Sequence, residues 1–268
     1  MTARSVIAKA KKLITSGQQE EARDLLLDVG YRQLDKQVQR AYAALIPPSD
    51  ILQEQLAGPL AKLKHRDAQV RRKAAKWIAD QSRKVPTLQS EAWLKDPRTT
   101  GPLVKALQDK DGEVVEWAAF AIGQISYRYF PDHRAYPALL PLLKSTSAKT
   151  RCLAAEGVAF LGGDEGVEHV LPLLHDRSAL VRDQTSLAIV HSAMSGGLSR
   201  KTKRRLRSIM SFALTEPDPN VRAHASTVLR DVGDRSVLPA LETALASEKH
   251  WLPKQCISQA IEMIKKRS

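Results

Sequence analysis

The side chains that most often carry catalysis are spread singly along this chain of 268 residues. None of its seven histidines stands one helical turn (four positions) from another, and Cys152 and Cys256 have no CxxC partner. The sequence contains no GxSxG, Walker A or HExxH motif, the spacings that hydrolases, nucleotide-binding proteins and zinc proteases require. We therefore expect no catalytic residues, no metal site and no cofactor, which favours a protein that is not an enzyme.

The location of the protein is predicted from what the chain does not contain. No stretch reaches the roughly 18 uncharged apolar residues that span a bilayer. Arg4 and Lys9 interrupt the N-terminus too early for a signal peptide. Two isolated cysteines fit a reducing compartment. The expectation is a cytoplasmic protein with no membrane span.

The net charge of +13 is unevenly distributed. Residues 1–100 hold 19 Lys and Arg against 11 Asp and Glu, and residues 197–268 hold 14 against 7. Residues 101–196 hold 9 against 11, so the middle is slightly acidic. A basic balance indicates an anionic partner, which could be an acidic protein, nucleic acid or a membrane surface.

One pattern recurs along the chain. A small polar residue is followed three positions later by Val or Thr, then usually by Arg, then by an Ala-rich run with helical spacing. The polar residue can cap a helix, and the apolar positions form one buried stripe. The copies begin at Asp67, Asp111, Ser147, Ser178 and Asp218, and a degenerate sixth begins at Trp251.

A further helix is predicted before each capped helix, marked by Pro followed by Leu, as at Pro59, Pro102, Pro141 and Pro172. Proline is tolerated in the first turn of a helix. Two helices make a hairpin that cannot bury its apolar face alone, whereas stacked hairpins bury a continuous core. The stretch Ser82–Thr100 contains two prolines and is predicted to be a long loop around a short helix.

The segments Leu171–Arg182 and Val237–Leu241 resemble HEAT repeats of the short bacterial kind, and the resemblance covers roughly residues 55–266. It implies an all-α, right-handed α-solenoid of about five to six helical hairpins, in which the second helices line the concave side. Residues 1–48 differ and are predicted to form an N-terminal helical cap, a tetratricopeptide-like hairpin plus a helix. Residues 49–268 form the predicted solenoid.

Three enzyme families are built from similar repeats. Deoxyhypusine hydroxylases carry His-Glu dipeptides as iron ligands, and this chain has none. Phycobilin lyases are similar in repeat type and length, but no motif of theirs can be placed here. HEAT-like alkyl-purine DNA glycosylases are basic and present Trp, Asp and Arg on a concave face. Trp77 and Asp80 lie one helical turn apart here, and the rest of that pattern is not matched.

Alignment of the second helices predicts the concave face. It runs from a basic end into an aromatic and apolar centre, and large aromatic side chains on such a face are a plausible binding hot spot. The alternative is that the two aromatic residues pack against a neighbouring helix or loop. The predicted partner-binding residues are Arg72, Lys73, Lys76, Glu116, Trp117, Phe120 and Leu153.

Two sets of cations receive different interpretations. Arg71, Arg151, Arg182 and Arg222, the ladder arginines, recur at one repeat position and are predicted to pair with an acid or a carbonyl in the neighbouring repeat. The other set starts a predicted helix, where cations oppose the helix dipole at a mild cost. A phosphate or acidic-protein contact and a solvated basic face both remain possible for this basic cluster, which comprises Arg200, Lys201, Lys203, Arg204, Arg205 and Arg207.

The sequence therefore predicts a non-catalytic scaffold or adaptor that binds a protein partner on its concave face, where the basic flanks favour an acidic one. The alternative is a basic nucleic-acid-binding protein, with or without the base chemistry of the glycosylases. No oligomeric state is predicted.

Overall fold

Capped helix starts set the repeat. In the computed structural model, which describes residues 2–267, Asp67, Asp111 and Asp218 each accept backbone N–H bonds from the first turn of a helix. Ser147 accepts the N–H of Thr150 in the same way. Ser178 occupies the equivalent position without a side-chain cap bond. The repeat pattern thus begins a helix at all five predicted positions.

Residues 2–267 contain no β-strand, so the all-α solenoid prediction is confirmed. Short 3-10 turns precede several helices, and one π-helical turn, Asp28–Arg32, precedes the third. None of the helices in this range is long and apolar enough to cross a membrane. The helices are α1 Ala3–Thr15, α2 Gln19–Leu27, α3 Lys36–Leu45, α4 Asp50–Ala57, α5 Pro59–Lys62, α6 Ala68–Ser82, α7 Leu88–Leu94, α8 Pro97–Ala106, α9 Gly112–Arg128, α10 Tyr136–Leu139, α11 Ala148–Leu161, α12 Gly163–Val170, α13 Ala179–Met194, α14 Arg200–Ala213, α15 Pro219–Val232, α16 Leu238–Ser247 and α17 Trp251–Arg267.

Contacts divide the chain into two compact units, Met1–Pro141 and Leu142–Ser268. In the first unit, α1, α2 and α3 pack on one another, and the second helices α6 and α9 stack side by side. In the second unit, α13 packs on α11, α15 on α13 and α17 on α15. Small residues let these helices approach closely: Ala75, Ala119, Ala155 and Ala225 are all fully buried.

The N-terminal helices are held by a polar network as well as by their own core. The core runs from Val6 to Ile46 and includes Phe130. The hydroxyl of Tyr42 donates a 2.9 Å bond to Asp96, which is itself paired at 2.7 Å with Arg98. Asp96 is buried, and its carboxylate also accepts three bonds from Arg98, so the bond from Tyr42 joins α3 to a carboxylate that is already paired.

Three local predictions differ from the structure. The short helix predicted within Ser82–Thr100 is α7, which Thr87 and Ser90 start with a capping box, but the loops around it are shorter than predicted, because α8 already begins at Pro97. Asp96 caps α8, with Pro97 in its first turn, so Pro102 lies inside α8 instead of starting it. The third N-terminal helix begins at Lys36, three residues later than Gln33, where Asp35 provides the cap.

Candidate binding surfaces

The aromatic part of the predicted concave face lies on the adjacent second helices α6 and α9. Trp117 and Phe120 make an edge-to-face contact with their ring centroids 6.4 Å apart. The ammonium of Lys76 lies 5.2 Å from the centroid of Trp117, within the range of a cation–π contact. Trp117 and Phe120 are half-buried, so each contacts the protein and still presents surface to solvent.

The cations beside these rings are largely neutralised by carboxylates of the same unit. Arg72 donates to Asp111 at 2.7 Å and lies 3.8 Å from Glu113, and its bonds lower the pKa of Asp111. Lys76 pairs with Asp80 at 2.6 Å. Lys73 is exposed and, among the described residues, has no ion pair. This face is therefore more aromatic and less basic than its sequence suggests.

The remaining two predicted residues lie in different places. Glu116 is half-buried on α9 directly before Trp117. Leu153 is half-buried on α11, which belongs to the second unit. The first unit thus holds six of the seven predicted residues. We call these six the Trp117 surface: Arg72, Lys73, Lys76, Glu116, Trp117 and Phe120.

The basic cluster forms the first half of α14, and two of its members have structural partners. Arg207 pairs with Asp234 and donates a 2.8 Å bond to the carbonyl of Val232. Arg205 pairs with Glu168 at 2.6 Å. These contacts hold α14 against its neighbours in the second unit.

The other four members have no ion pair within the part of the chain that the structure describes: Arg200, Lys201, Lys203 and Arg204. Three of them are exposed, and Lys203 is half-buried. No acidic residue lies in the first turn of α14, where the helix dipole would favour one. Four cations without an ion pair therefore lie within five positions of one helix. A carboxylate close to them is that of Asp164, which accepts the N–H of Ser199 at 2.9 Å and whose pKa is lowered by its bonds to Ser199 and by nearby Lys201.

Three ladder arginines pair as predicted with a carboxylate in the next repeat. Arg71 bonds to Asp109 at 2.6 Å, Arg151 to Asp176 at 2.8 Å, and Arg222 to Glu248 at 2.6 Å. Each also donates to two carbonyls of the loop before its own helix. For Arg182 the prediction of a contact to a neighbouring repeat was wrong, since within residues 2–267 it donates only to the carbonyl of Asp176 in its own preceding loop.

These bonds lower the pKa values of the acceptor carboxylates. The Arg71 guanidinium lowers the pKa of Asp109, and that of Arg151 lowers the pKa of Asp176. The bond from Arg222 lowers the pKa of Glu248 to about 2. Each of these carboxylates therefore stays ionised to a lower pH in the folded protein than in the unfolded chain.

Trp77 and Asp80, the two residues that resemble the glycosylase pattern, each contact other side chains of the first unit. Trp77 stacks on Trp93 with centroids 5.8 Å apart. Asp80 is engaged by Lys76 at 2.6 Å and by Arg83 at 3.3 Å. Both side chains therefore have partners within the protein.

One polar group on the second helices was missed by the sequence reasoning. His224 lies 2.8 Å from the hydroxyl of Ser186 and 3.5 Å from Asp183, and burial lowers the pKa of His224. Both neighbours approach the same ring nitrogen, and Ser186 is buried and donates to the carbonyl of Asp183. A catalytic triad instead uses the two ring nitrogens separately. The group joins α13 to α15, and its signal was the occurrence of Asp183 and His224 at adjacent positions of the aligned second helices in successive copies.

No group of three or more His, Cys, Asp or Glu within residues 2–267 is arranged to hold a metal ion.

A solenoid of capped second helices with a ladder of interlocking arginines defines a helical-repeat protein. The family model for HEAT repeats matches residues 56–143 and 100–190, which together span half of the chain. The protein belongs to the HEAT-repeat family.

Solved structures of similar fold include an engineered protein and a designed armadillo repeat protein. An engineered protein of the Northeast Structural Genomics Consortium is 19% identical with a TM-score of 0.64, and the match covers 81% of this chain and 99% of that chain. A designed armadillo repeat protein in complex with the peptide (KR)4 is 20% identical with a TM-score of 0.63, over 81% of this chain and 100% of that chain. At such identity the likeness shows the fold alone. A search of curated proteins finds no match.

Proposed function

We propose that this protein is a non-catalytic scaffold that binds a protein partner through the Trp117 surface. The observation that carries the proposal is the cluster of Lys76, Trp117 and Phe120 on two stacked second helices of a HEAT-repeat protein. Interfaces concentrate their binding energy in aromatic and cationic side chains that become desolvated. A half-buried tryptophan is already ordered, so its immobilisation on binding costs little entropy.

The local charges indicate what the partner offers. Because Arg72 and Lys76 are paired within the protein, the main contact at this surface is apolar, and Lys73 adds one free cation at its edge. A designed armadillo repeat protein of similar fold holds a peptide of Lys and Arg. The net charge of +13 in this chain favours a partner of the opposite sign.

Two further predictions belong to this proposal. Residues 1–48 act as the N-terminal cap of a solenoid formed by residues 49–268, which the shared core of α1, α2 and α3 supports. The protein works in the cytoplasm, where its free thiols Cys152 and Cys256 stay reduced.

The test is recovery of partners from cell extract by tagged wild-type protein and by Trp117→Ala. We expect the wild type to retain partners that the variant loses. Trp251→Ala is the matched control, because Trp251 is a largely exposed tryptophan in the second unit. Circular dichroism and thermal melting establish that both variants fold. Equal recovery by folded Trp117→Ala and wild type would remove this surface from the proposal.

A second candidate function, nucleic-acid binding, is favoured by the four unpaired cations of the basic cluster. Exposed Lys and Arg that neutralise phosphates release counterions from nucleic acid, and this release gives sequence-independent affinity that falls steeply with salt. Arg200, Lys201 and Arg204 are exposed for such contacts. The basic cluster would position phosphates without reading bases.

Fluorescence anisotropy with labelled duplex and single-stranded oligonucleotides tests this candidate across a salt series. The triple variant Arg200→Glu, Lys203→Glu and Arg204→Glu should lose the binding. A matched variant with Lys9, Lys11 and Lys12 changed to Glu alters the net charge equally at exposed sites on α1 and should retain most of it. No binding by the wild type near physiological salt would exclude this function.

A further inference from the structure

One face of the second helices is buried wherever a preceding second helix stacks against it. This holds for α9 on α6, for α13 on α11 and for α15 on α13. The positions concerned are the first, fifth and eighth of the aligned helical run. They are Val114, Ala118 and Ala121 in α9, Val181, Thr185 and Ala188 in α13, and Val221, Ala225 and Val228 in α15, and all of them are at most 2% exposed.

The same positions in α6 are different. Val70 is half-buried, Ala74 is buried, and the eighth position holds Trp77, which is 39% exposed. A large aromatic residue thus stands where later repeats have a small or β-branched side chain. The helix α6 packs on α5, α7 and α9. Of these three helices only α9, which follows α6 in the chain, is the second helix of a repeat, so no second helix stacks on α6 from the N-terminal side.

A groove follows from this difference. A cavity of about 520 Å³ lies against α5 and α6, lined by Pro59, Lys62, Val70, Lys73, Ala74 and Trp77, which we call the α6 groove. Its floor is apolar, and Trp77 is held in position by stacking on Trp93. Its polar groups are the ammonium groups of Lys62 and Lys73, and no carboxylate lines it.

Both lysines are available to a ligand. Lys62 and Lys73 are exposed, and neither makes an ion pair with any residue between 2 and 267. Elsewhere on α6, Arg71, Arg72 and Lys76 each have a carboxylate partner. The groove is therefore the part of α6 where positive charge is left uncompensated next to exposed apolar surface.

We propose that an acidic amphipathic helix of a partner protein occupies the α6 groove, where the second helix of a preceding repeat would lie. Packed helices approach to about 8–10 Å between axes, which brings side chains of the incoming helix into a groove of this kind. Its apolar stripe covers Val70, Ala74 and Trp77, and carboxylates on its flank pair with Lys62 and Lys73. This inference goes beyond the proposed function, because the α6 groove shares only Lys73 with the Trp117 surface and does not depend on Trp117.

The charges argue against a second copy of this chain as the occupant. The last second helix, α17, has exposed apolar residues, among them Trp251 and Leu252. It carries four Lys and Arg against one Glu, however, so it would bring positive charge onto Lys62 and Lys73. Like charges brought together at an interface weaken it.

The experiment titrates the full-length protein into a labelled synthetic peptide helix that carries leucines at i, i+3, i+4 and i+7 and glutamates on the flanking positions. Anisotropy should report saturable binding, and the emission of Trp77 should shift to the blue as the peptide covers it. A Trp77→Phe variant identifies that signal. The double variant Lys62→Glu and Lys73→Glu should weaken binding by about tenfold or more, since two favourable charge pairs become repulsive.

The controls separate this inference from the proposed function. Lys9→Glu with Lys11→Glu makes the same charge change on α1 and should leave the affinity within about twofold, as expected for charges remote from the contact. A peptide of the same composition in scrambled order should bind at least tenfold more weakly. Trp117→Ala should bind the peptide like the wild type.

Three results would overturn the proposal. The first is equal affinity of the wild type and the Lys62→Glu, Lys73→Glu variant for the peptide. The second is loss of peptide binding in Trp117→Ala but not in the lysine variant, which would move the peptide to the Trp117 surface. The third is concentration-dependent self-association in sedimentation that the lysine variant abolishes, which would make a second copy the occupant.

Discussion

The ladder arginines and the basic cluster contain similar side chains in different environments: the first are mostly paired with carboxylates, and the second are mostly exposed and unpaired. Arg71, Arg151 and Arg222 each bridge carbonyls of one loop and a carboxylate of the next. Arg200 and Arg204 begin a helix, are exposed, and pair with no carboxylate among the described residues. The same side chain therefore serves cohesion of the fold in one region and stays available to solvent in the other.

The difference teaches that the role of an arginine in this fold depends on the loop that follows it. A ladder arginine is structural where the next loop supplies Asp109, Asp176 or Glu248. Arg182 has the same repeat position but, among the described residues, bonds only to the carbonyl of Asp176. The repeat position alone therefore does not give an arginine a carboxylate partner in the next loop.

The largest change in stability should come from removing a ladder arginine that bonds to a carboxylate of the next repeat. Arg151→Ala leaves the largely buried carboxylate of Asp176 and two loop carbonyls without their partner, and we expect a loss of roughly 3 kcal/mol of unfolding free energy. Urea denaturation measures it. The exposed neighbour Arg177→Ala is the control and should change stability little. A loss of stability no greater than that of the control would show that the pair of Arg151 and Asp176 does not stabilise the fold.

An intermediate effect should follow acidification. The folded pKa of Glu248 is about 2, below its ordinary value of 4.5, so the pair with Arg222 contributes stability that is fully present above pH 4.5. This stability is lost as pH falls from about 4.5 to 2, because the unfolded state binds the proton more readily. Denaturation at a series of pH values should show a shallower acid loss in Glu248→Gln. Identical slopes in variant and wild type would mean that another group sets the acid limit.

The smallest effect should come from the unpaired region. Arg200→Glu puts a negative charge in the first turn of α14, which the helix dipole favours, and stability should rise by about 0.3–1 kcal/mol. Thermal melting at low salt detects the change. Arg205→Glu makes the same substitution where Glu168 is a partner, and it should destabilise the protein. If both variants behave alike, the distinction between paired and unpaired members of the basic cluster fails.

Much of the fold was readable from local signals. The caps at Asp67, Asp111 and Asp218 were found because a polar residue before a helical apolar pattern satisfies N–H groups within three positions. The start of α8 was missed because Pro102 was taken as its first turn, whereas the cap at Asp96 begins it earlier.

The charge and exposure of the binding surfaces could not be predicted in this way, because they depend on contacts between residues that are far apart in the sequence. The stacking of Trp77 on Trp93 joins two helices that the sequence does not align. The neutralisation of Arg72 by Asp111 crosses from one repeat to the next. The sequence predicts which side chains face outward, and only the fold shows which of them already have a partner.

The ladder also determines where the chain can be divided. Since Arg71 bonds to Asp109, and Arg222 to Glu248, a repeat is complete only together with the loop that begins the next one. A fragment ending at residue 247 would keep α15 whole and still leave the guanidinium of Arg222 without its acceptor. Shortened or recombined versions of this protein should therefore be cut after the acceptor carboxylate instead of at the end of a helical hairpin.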